Sequence, residues 1–222
     1  MIRGVEPVGG ALLAGASLWL GLLWLGSRVG LSQRRRSVQG AAALLAVGAL
    51  FVPLGEMPLW QWVFSFCPNP SVPAIAVVGA ALWERLRGVP VVRVAEWRLL
   101  WGFGAVAGTL LYLHPLLPSS VDPYYFGWRH APAIWAMAGL ALLAFGAGNR
   151  AGSVFFVALV AYELRVLESP NAWDYVVDPL FWLWSLGKGA AAGLRVGLRW
   201  WRRTRFSRPP FPSAVPGPAA GG

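Results

Sequence analysis

The sequence predicts an all-α integral membrane protein of about seven transmembrane helices, N-terminus outside and C-terminus cytoplasmic. Three observations carry that expectation. Of 222 residues, 57% are hydrophobic and only 13% charged, where soluble domains carry about 25% charge. Apolar runs recur at close to the ~20 residues that a span requires. Basic residues gather in alternate connections between those runs, the mark of cytoplasmic loops.

Helices that are apolar all round show no periodicity, so run length and flanking residues define them. The expected spans are 8–26, 39–54, 71–86, 99–117, 131–148, 151–168 and 175–196. The first is longer than the apolar core of a signal peptide and is followed by an arginine-rich loop rather than a processing site. Between the second and third lies "GEMPLWQWVFSFCPNPSVP" (55–73), where Pro58, Pro68, Pro70 and Pro73 would break one long helix. That region reads as an interfacial or re-entrant turn, with Asn69 and Ser71 as candidate caps for the next helix. Gly104 and Gly108 in the fourth span, and Gly189 and Gly193 in the last, are spaced for close helix packing.

The start of the seventh span has two readings. If it begins at Pro179, residues 170–177 form a short surface helix or turn, and Lys188 lies about 13 Å along the helix. If it begins at Pro170, Asp174 and Asp178 descend into the bilayer. The first reading is preferred. In it, residues 1–196 form the helical domain, 197–208 a basic interfacial helix end, and 209–222 a disordered Pro/Gly/Ala tail.

Seven spans put Arg28, Arg34–Arg36, Arg85, Arg87, Arg93, Arg98, Arg150, Lys188 and the six tail arginines on one side, leaving only Arg3, Arg129 and Arg165 on the other. Six spans would put the tail opposite the other basic loops. The net charge of +10 therefore marks bilayer orientation and not a nucleic-acid surface. Arg195, Arg199, Trp200, Trp201 and Arg202 read as anchors at the inner interface. Eighteen arginines to one lysine suggest a G+C-rich bacterial genome, and so a bacterial inner membrane. Cys67, the single cysteine, cannot form an internal disulfide and reads as a small buried residue.

Most acidic residues fall on the opposite, outer side. Asp122, Arg129, His130, Glu163, Arg165, Glu168, Asp174 and Asp178 form the candidate outer-face polar cluster. Arg165 and Glu168, three apart, would share a helical face with Glu163 a turn below. Such a set serves either as an ion pair locking the sixth helix or as an anion site built on Arg165. Asp122 and Asp178 each precede proline, a ready helix start. His114, His130, Asp122 and Glu168 are of metal-ligating types but lack a ligand spacing, so neither a metal nor another cofactor is expected. No nucleotide loop, nucleophile elbow or haem motif is present.

The stretches "PLWQWVFSF", "DPYYFGW" and "LESPNAWDYVVDPLFWLWSLG" resemble a family of small, uncharacterised proteobacterial inner-membrane proteins with DPY…G and LES.N.WDY..DP motifs. The resemblance spans about residues 40–188. It implies that Asp122, Glu168, Asn171, Trp173, Asp174, Asp178 and Pro179 match the family pattern, and it carries no activity with it. The "PLWQWVFSFCPNPS" region departs from the charged or glycine-rich turn usual there.

Three functions follow. The first is a non-enzymatic accessory or structural subunit, partnered by the bilayer and other membrane proteins. The second is a transporter or lipid-handling protein that binds an anionic lipid headgroup at the outer face. The third is an enzyme acting on a phosphate-bearing lipid with Asp174 or Glu168 as base.

Overall fold

The computed structural model describes residues 6–32, 35–116, 121–128, 132–167 and 169–206. The chain is all-α. Its helices are α1 (Glu6–Arg28), α2 (Arg36–Leu50), α3 (Leu59–Phe66), α4 (Val72–Arg87), α5 (Val94–Tyr112), α6 (Pro132–Gly146), α7 (Ala151–Glu163) and α8 (Pro179–Phe206). The region read as a turn between the second and third spans resolves into two parts. Pro53–Leu54 and Met57–Pro58 pair as a two-residue hairpin around Gly55, whose φ of 70° suits its turn. The two-turn helix α3 follows. The second span accordingly stops at Leu50, not at residue 54.

Successive long helices alternate in direction, so the bundle has two chemically distinct ends. Arg28, Arg36, Arg87, Arg93 and Arg150 sit at helix termini of one end, with Glu84 and Glu96. The other end collects Ser71, Asp122, Glu163, Asp174 and Asp178. Backbone cues set the limits. Ser71 accepts the Ala74 N–H and starts α4. At the end of α7, Arg165 N–H donates to the Tyr162 carbonyl and Val166 N–H to that of Ala161, at 3.0 Å each. That is a Schellman stop, with Arg165 in the left-handed region at φ 50°.

Packing concentrates on small residues. A Cβ at Gly104 would collide with Ser185 and Phe181, and one at Gly108 with Trp182, so α5 and α8 meet at the spacing the sequence marks. Trp182 Nε1–H also donates to Thr109 Oγ1 at 3.1 Å. Gly189 and Gly193 face open space instead. There the expected close packing does not form within the chain. Phe155, Phe181, Met137 and Tyr175 are fully buried.

α1 contains one stretch, Gly9–Arg28, that is long and apolar enough to cross a membrane. α2, α6 and α7 are apolar but have 15, 15 and 13 residues. At 1.5 Å per residue that is about 20–22 Å, short of a ~30 Å hydrocarbon core.

Candidate functional site

The acidic end is built from two peptide segments that the sequence separates by about fifty residues. In the first, Asp122 accepts the Tyr124 N–H at 2.9 Å and opens a 3-10 turn over Pro123–Gly127. In the second, Asn171 accepts the Trp173 N–H at 2.9 Å and opens another over Ala172–Tyr175. The turns dock on one another. Asn171 Nδ2 donates to the Tyr124 carbonyl and Trp173 Nε1 to the Pro123 carbonyl, both at 3.0 Å. Trp128 and Asn171 form an isolated antiparallel bridge. Only glycine fits at 127, since a Cβ would overlap Asn171 Oδ1.

α8 begins at Pro179 after a short 3-10 turn, as the preferred reading expects, but residues 170–177 are largely buried rather than on the surface. Ala172, Tyr175, Val176 and Val177 are buried, and the Tyr175 hydroxyl donates to the Leu167 carbonyl at 2.9 Å. The segment plugs the end of the bundle. Asp174 sits on it with the Tyr124 hydroxyl 3.0 Å from both carboxylate oxygens, and accepts the Ser169 hydroxyl as well. Desolvation raises the Asp174 pKa above the usual carboxyl range, and the two hydroxyls oppose the rise. Burial, then the nearby Asp174 charge, pushes the Tyr124 phenol up.

Asp178 goes deeper. Its Oδ2 accepts both the Ser71 N–H, at 2.8 Å, and the Ser71 hydroxyl, at 2.6 Å. Its Oδ1 accepts the Phe181 N–H at 2.8 Å and caps α8. One buried carboxylate thus serves the first turns of α4 and α8 together. Cys67, fully buried beside them, has its thiol pKa raised by burial and then by Asp178.

No protein-family model matches the chain, and no curated protein or solved structure matches it significantly.

Five of the eight residues of the candidate cluster are described, and the structure gives them different places. Asp122, Asp174 and Asp178 belong to the docked turns and caps. Glu163 is exposed at the last position of α7. Arg165 lies past the Schellman stop, outside α7. Neither forms an ion pair among the described residues. The sixth helix, expected to run to residue 168, ends at Glu163, so the continuous helical face expected for Glu163, Arg165 and Glu168 is interrupted at Arg165. Arg129, His130 and Glu168 lie outside the described residues, as does the tail from 207 onward. His114 Nδ1 stands 3.8 Å from Asp122 Oδ1, and its buried Nε2 finds no partner among the described residues. No group of three metal-ligating side chains occurs among those residues.

At the basic end, α8 runs unbroken through Arg195, Arg199, Trp200 and Trp201, all exposed, and its backbone continues through Arg202. The sequence gives no hint of a further pair. Glu96, only 3% exposed, accepts the Arg93 N–H at 2.6 Å and the Arg150 Nε at 2.8 Å. Arg150 Nη2 also donates to the Val91 carbonyl at 2.9 Å. The start of α5 is thereby joined to the start of α7. The hydrogen bond from Arg150 holds the Glu96 carboxyl below its usual range, against the opposing effect of burial.

Proposed function

We propose that the chain is a multi-pass protein of the bacterial inner membrane and acts as a non-enzymatic accessory or structural subunit. In this reading its seven long helices cross the bilayer, with the N-terminus outside and the C-terminus cytoplasmic. The observation that carries it is the distribution of side chains on the flanks. Between a basic and an acidic end, the helices turn large apolar groups outward: Leu44, Leu110, Trp135, Leu142 and Leu143 are all more than half exposed. Such a belt is costly in water and at home in hydrocarbon. α2, α6 and α7 are short for a span, and local thinning of the bilayer accommodates that at modest cost.

The structural role is supported by how the acidic end spends its carboxylates. Asp122 and Asp178 cap helices, and Asp174 holds two hydroxyls. Reporter fusions test the topology. A cytoplasmic reporter inserted near residue 90 or at the C-terminus is expected to be active, and a periplasmic reporter near residue 121. The reverse pattern would sink the topology. In-membrane crosslinking tests the role: a chain that yields no crosslinked protein partner is not a subunit.

Arg165 favours a second reading, a lipid-handling protein that holds an anionic headgroup at the outer face. Its guanidinium is exposed and outside any ion pair among the described residues. Unchanged co-purifying anionic lipid in Arg165→Ala would dismiss it.

A further inference from the structure

The basic end of the bundle opens where the acidic end is pinned. Ser71 and Asp178 tie α4 to α8 at their first turns. About 13 Å further along each helix, at Ala81 and Lys188, the two line a cleft of about 780 Å³. One wall is aromatic. Trp97 and Trp101 on α5 stack with centroids 5.5 Å apart and planes 8° from parallel. Lys188 Nζ stands 5.7 Å from the Trp101 ring centre, and no carboxylate lies within ion-pair distance of it among the described residues. Glu84 and Arg85 line the cleft a turn beyond Ala81, and Ser32 enters from the α1–α2 connection.

We propose that this cleft binds a phosphate-bearing headgroup, with Lys188 as the charge partner and the stacked tryptophans as an apolar wall for the glycerol and first acyl carbons. The volume is that of a site for a small ligand. Among the described lining residues, Lys188 and Arg85 outweigh Glu84 by one positive charge. An ammonium on a flexible stem meets phosphate as a point charge. The Trp101 ring covers one side of the ammonium, while Lys188 itself is exposed and open to a ligand. A lipid and a soluble phosphate ester share this chemistry. The inference does not need the bilayer reading, because the cleft's chemistry is the same in water. It is also independent of Arg165, at the opposite end.

Calorimetric titration of the purified full chain in neutral detergent tests it, with dihexanoylphosphatidylglycerol below its micelle concentration and glycerol 3-phosphate as separate probes. Wild type is expected to bind at least one of them. Lys188→Gln is expected to weaken that binding roughly tenfold or more, the size of a lost charged hydrogen bond. Arg85→Gln weakens the same titration and serves as the second variant should Lys188→Gln lower thermal stability. Arg87→Gln is the control, since Arg87 lies over Trp83, 5.4 Å from its centre, and does not line the cleft; it should leave affinity within about twofold. Saturation by the lipid alone assigns a headgroup, and equal saturation by glycerol 3-phosphate a soluble phosphate ester. Binding of neither probe overturns the proposal, as does wild-type affinity in both cleft variants or an equal loss in Arg87→Gln.

Discussion

Asp178 and Ser71, 107 residues apart in the chain, share two hydrogen bonds in the buried acidic end of the bundle. Each residue also caps its own helix. The arrangement makes a local signal, the N-cap, into a tertiary one. A helix start leaves orphan amides, and here one carboxylate answers those of α8 while holding the residue that answers those of α4.

This tie should be cooperative. Asp178→Ala leaves the Ser71 N–H, the Ser71 hydroxyl and the Phe181 N–H without their acceptor in a buried site. Unmet buried donors cost about 1–3 kcal/mol each before relaxation, so a total loss of about 3 kcal/mol is expected. Ser71→Ala removes one hydroxyl and a cap and should cost about 1–2 kcal/mol. The double variant should be less unstable than the sum, with a coupling of about 1 kcal/mol or more. Thermal unfolding of the four proteins measures it, and strict additivity would refute the shared carboxylate.

The docking of the two 3-10 turns depends on the absence of a side chain at 127. Gly127→Ala would force Asn171 and Trp173 aside and break bonds to Tyr124 and Pro123. A cost of about 1–3 kcal/mol is expected, as for other overpacked sites. Limited proteolysis should then cut near 121–128 at protease levels that spare the wild type. An unchanged cleavage pattern would mean that the turns are not held by this contact.

Much of the frame was legible in the sequence, because apolar run length and proline positions are local. All seven long helices fall on the expected runs, Ser71 and Asp178 read as caps, and Gly104 and Gly108 as a packing seam. Partners distant in sequence were not legible. Nothing near Glu96 announces Arg150, and nothing near Asp178 announces Ser71. The end of α7 was not legible either, because the apolar pattern runs on past Glu163 toward residue 168. No glycine or proline marks the stop there: Val166 and Arg165 donate backwards to Ala161 and Tyr162, and an arginine takes the left-handed position.

The two ends should respond oppositely to acid. Arg150 depresses the Glu96 pKa, so the folded state holds that proton less tightly than the unfolded chain. Its stabilisation is present above the ordinary carboxyl value of about 4 and is lost as pH falls through the depressed one. Glu96→Gln should flatten that acid limb. Arg150→Gln should destabilise more than Glu96→Gln at neutral pH, because it strands a buried carboxylate. Unfolding midpoints between pH 3 and 7 would show this. Equal midpoints for the two variants at pH 7 would contradict it.

Asp174 carries the reverse sign. Its folded pKa is raised, chiefly by desolvation. The associated stability is fully present below the unfolded value of about 4 and is lost as pH rises through the folded one. Asp174→Asn, which mimics the protonated group, should therefore gain on the wild type as pH increases across that window. A constant difference between the two proteins at every pH would show that Asp174 does not titrate differently in the folded chain.

Arg165 separates the structural account of the acidic end from the anion-binding one. A non-glycine residue in the left-handed region costs roughly 1–2 kcal/mol, and the position after a helix end in a Schellman turn favours glycine. Arg165→Gly should relieve that strain, and some of the gain is offset by the greater freedom of glycine in the unfolded chain. A net rise of about 0.5–1 kcal/mol in unfolding free energy is expected, without change in the bonds from Arg165 and Val166 to the α7 carbonyls. Arg165→Ala removes the same guanidinium but keeps the strain, so it should stay close to wild type in stability. If the side chain holds a headgroup, both variants lose bound anionic lipid while only the glycine variant gains stability. If it does not, lipid content stays level while stability still rises. A glycine variant that unfolds more readily than wild type would show that the guanidinium makes a stabilising contact that outweighs its backbone strain.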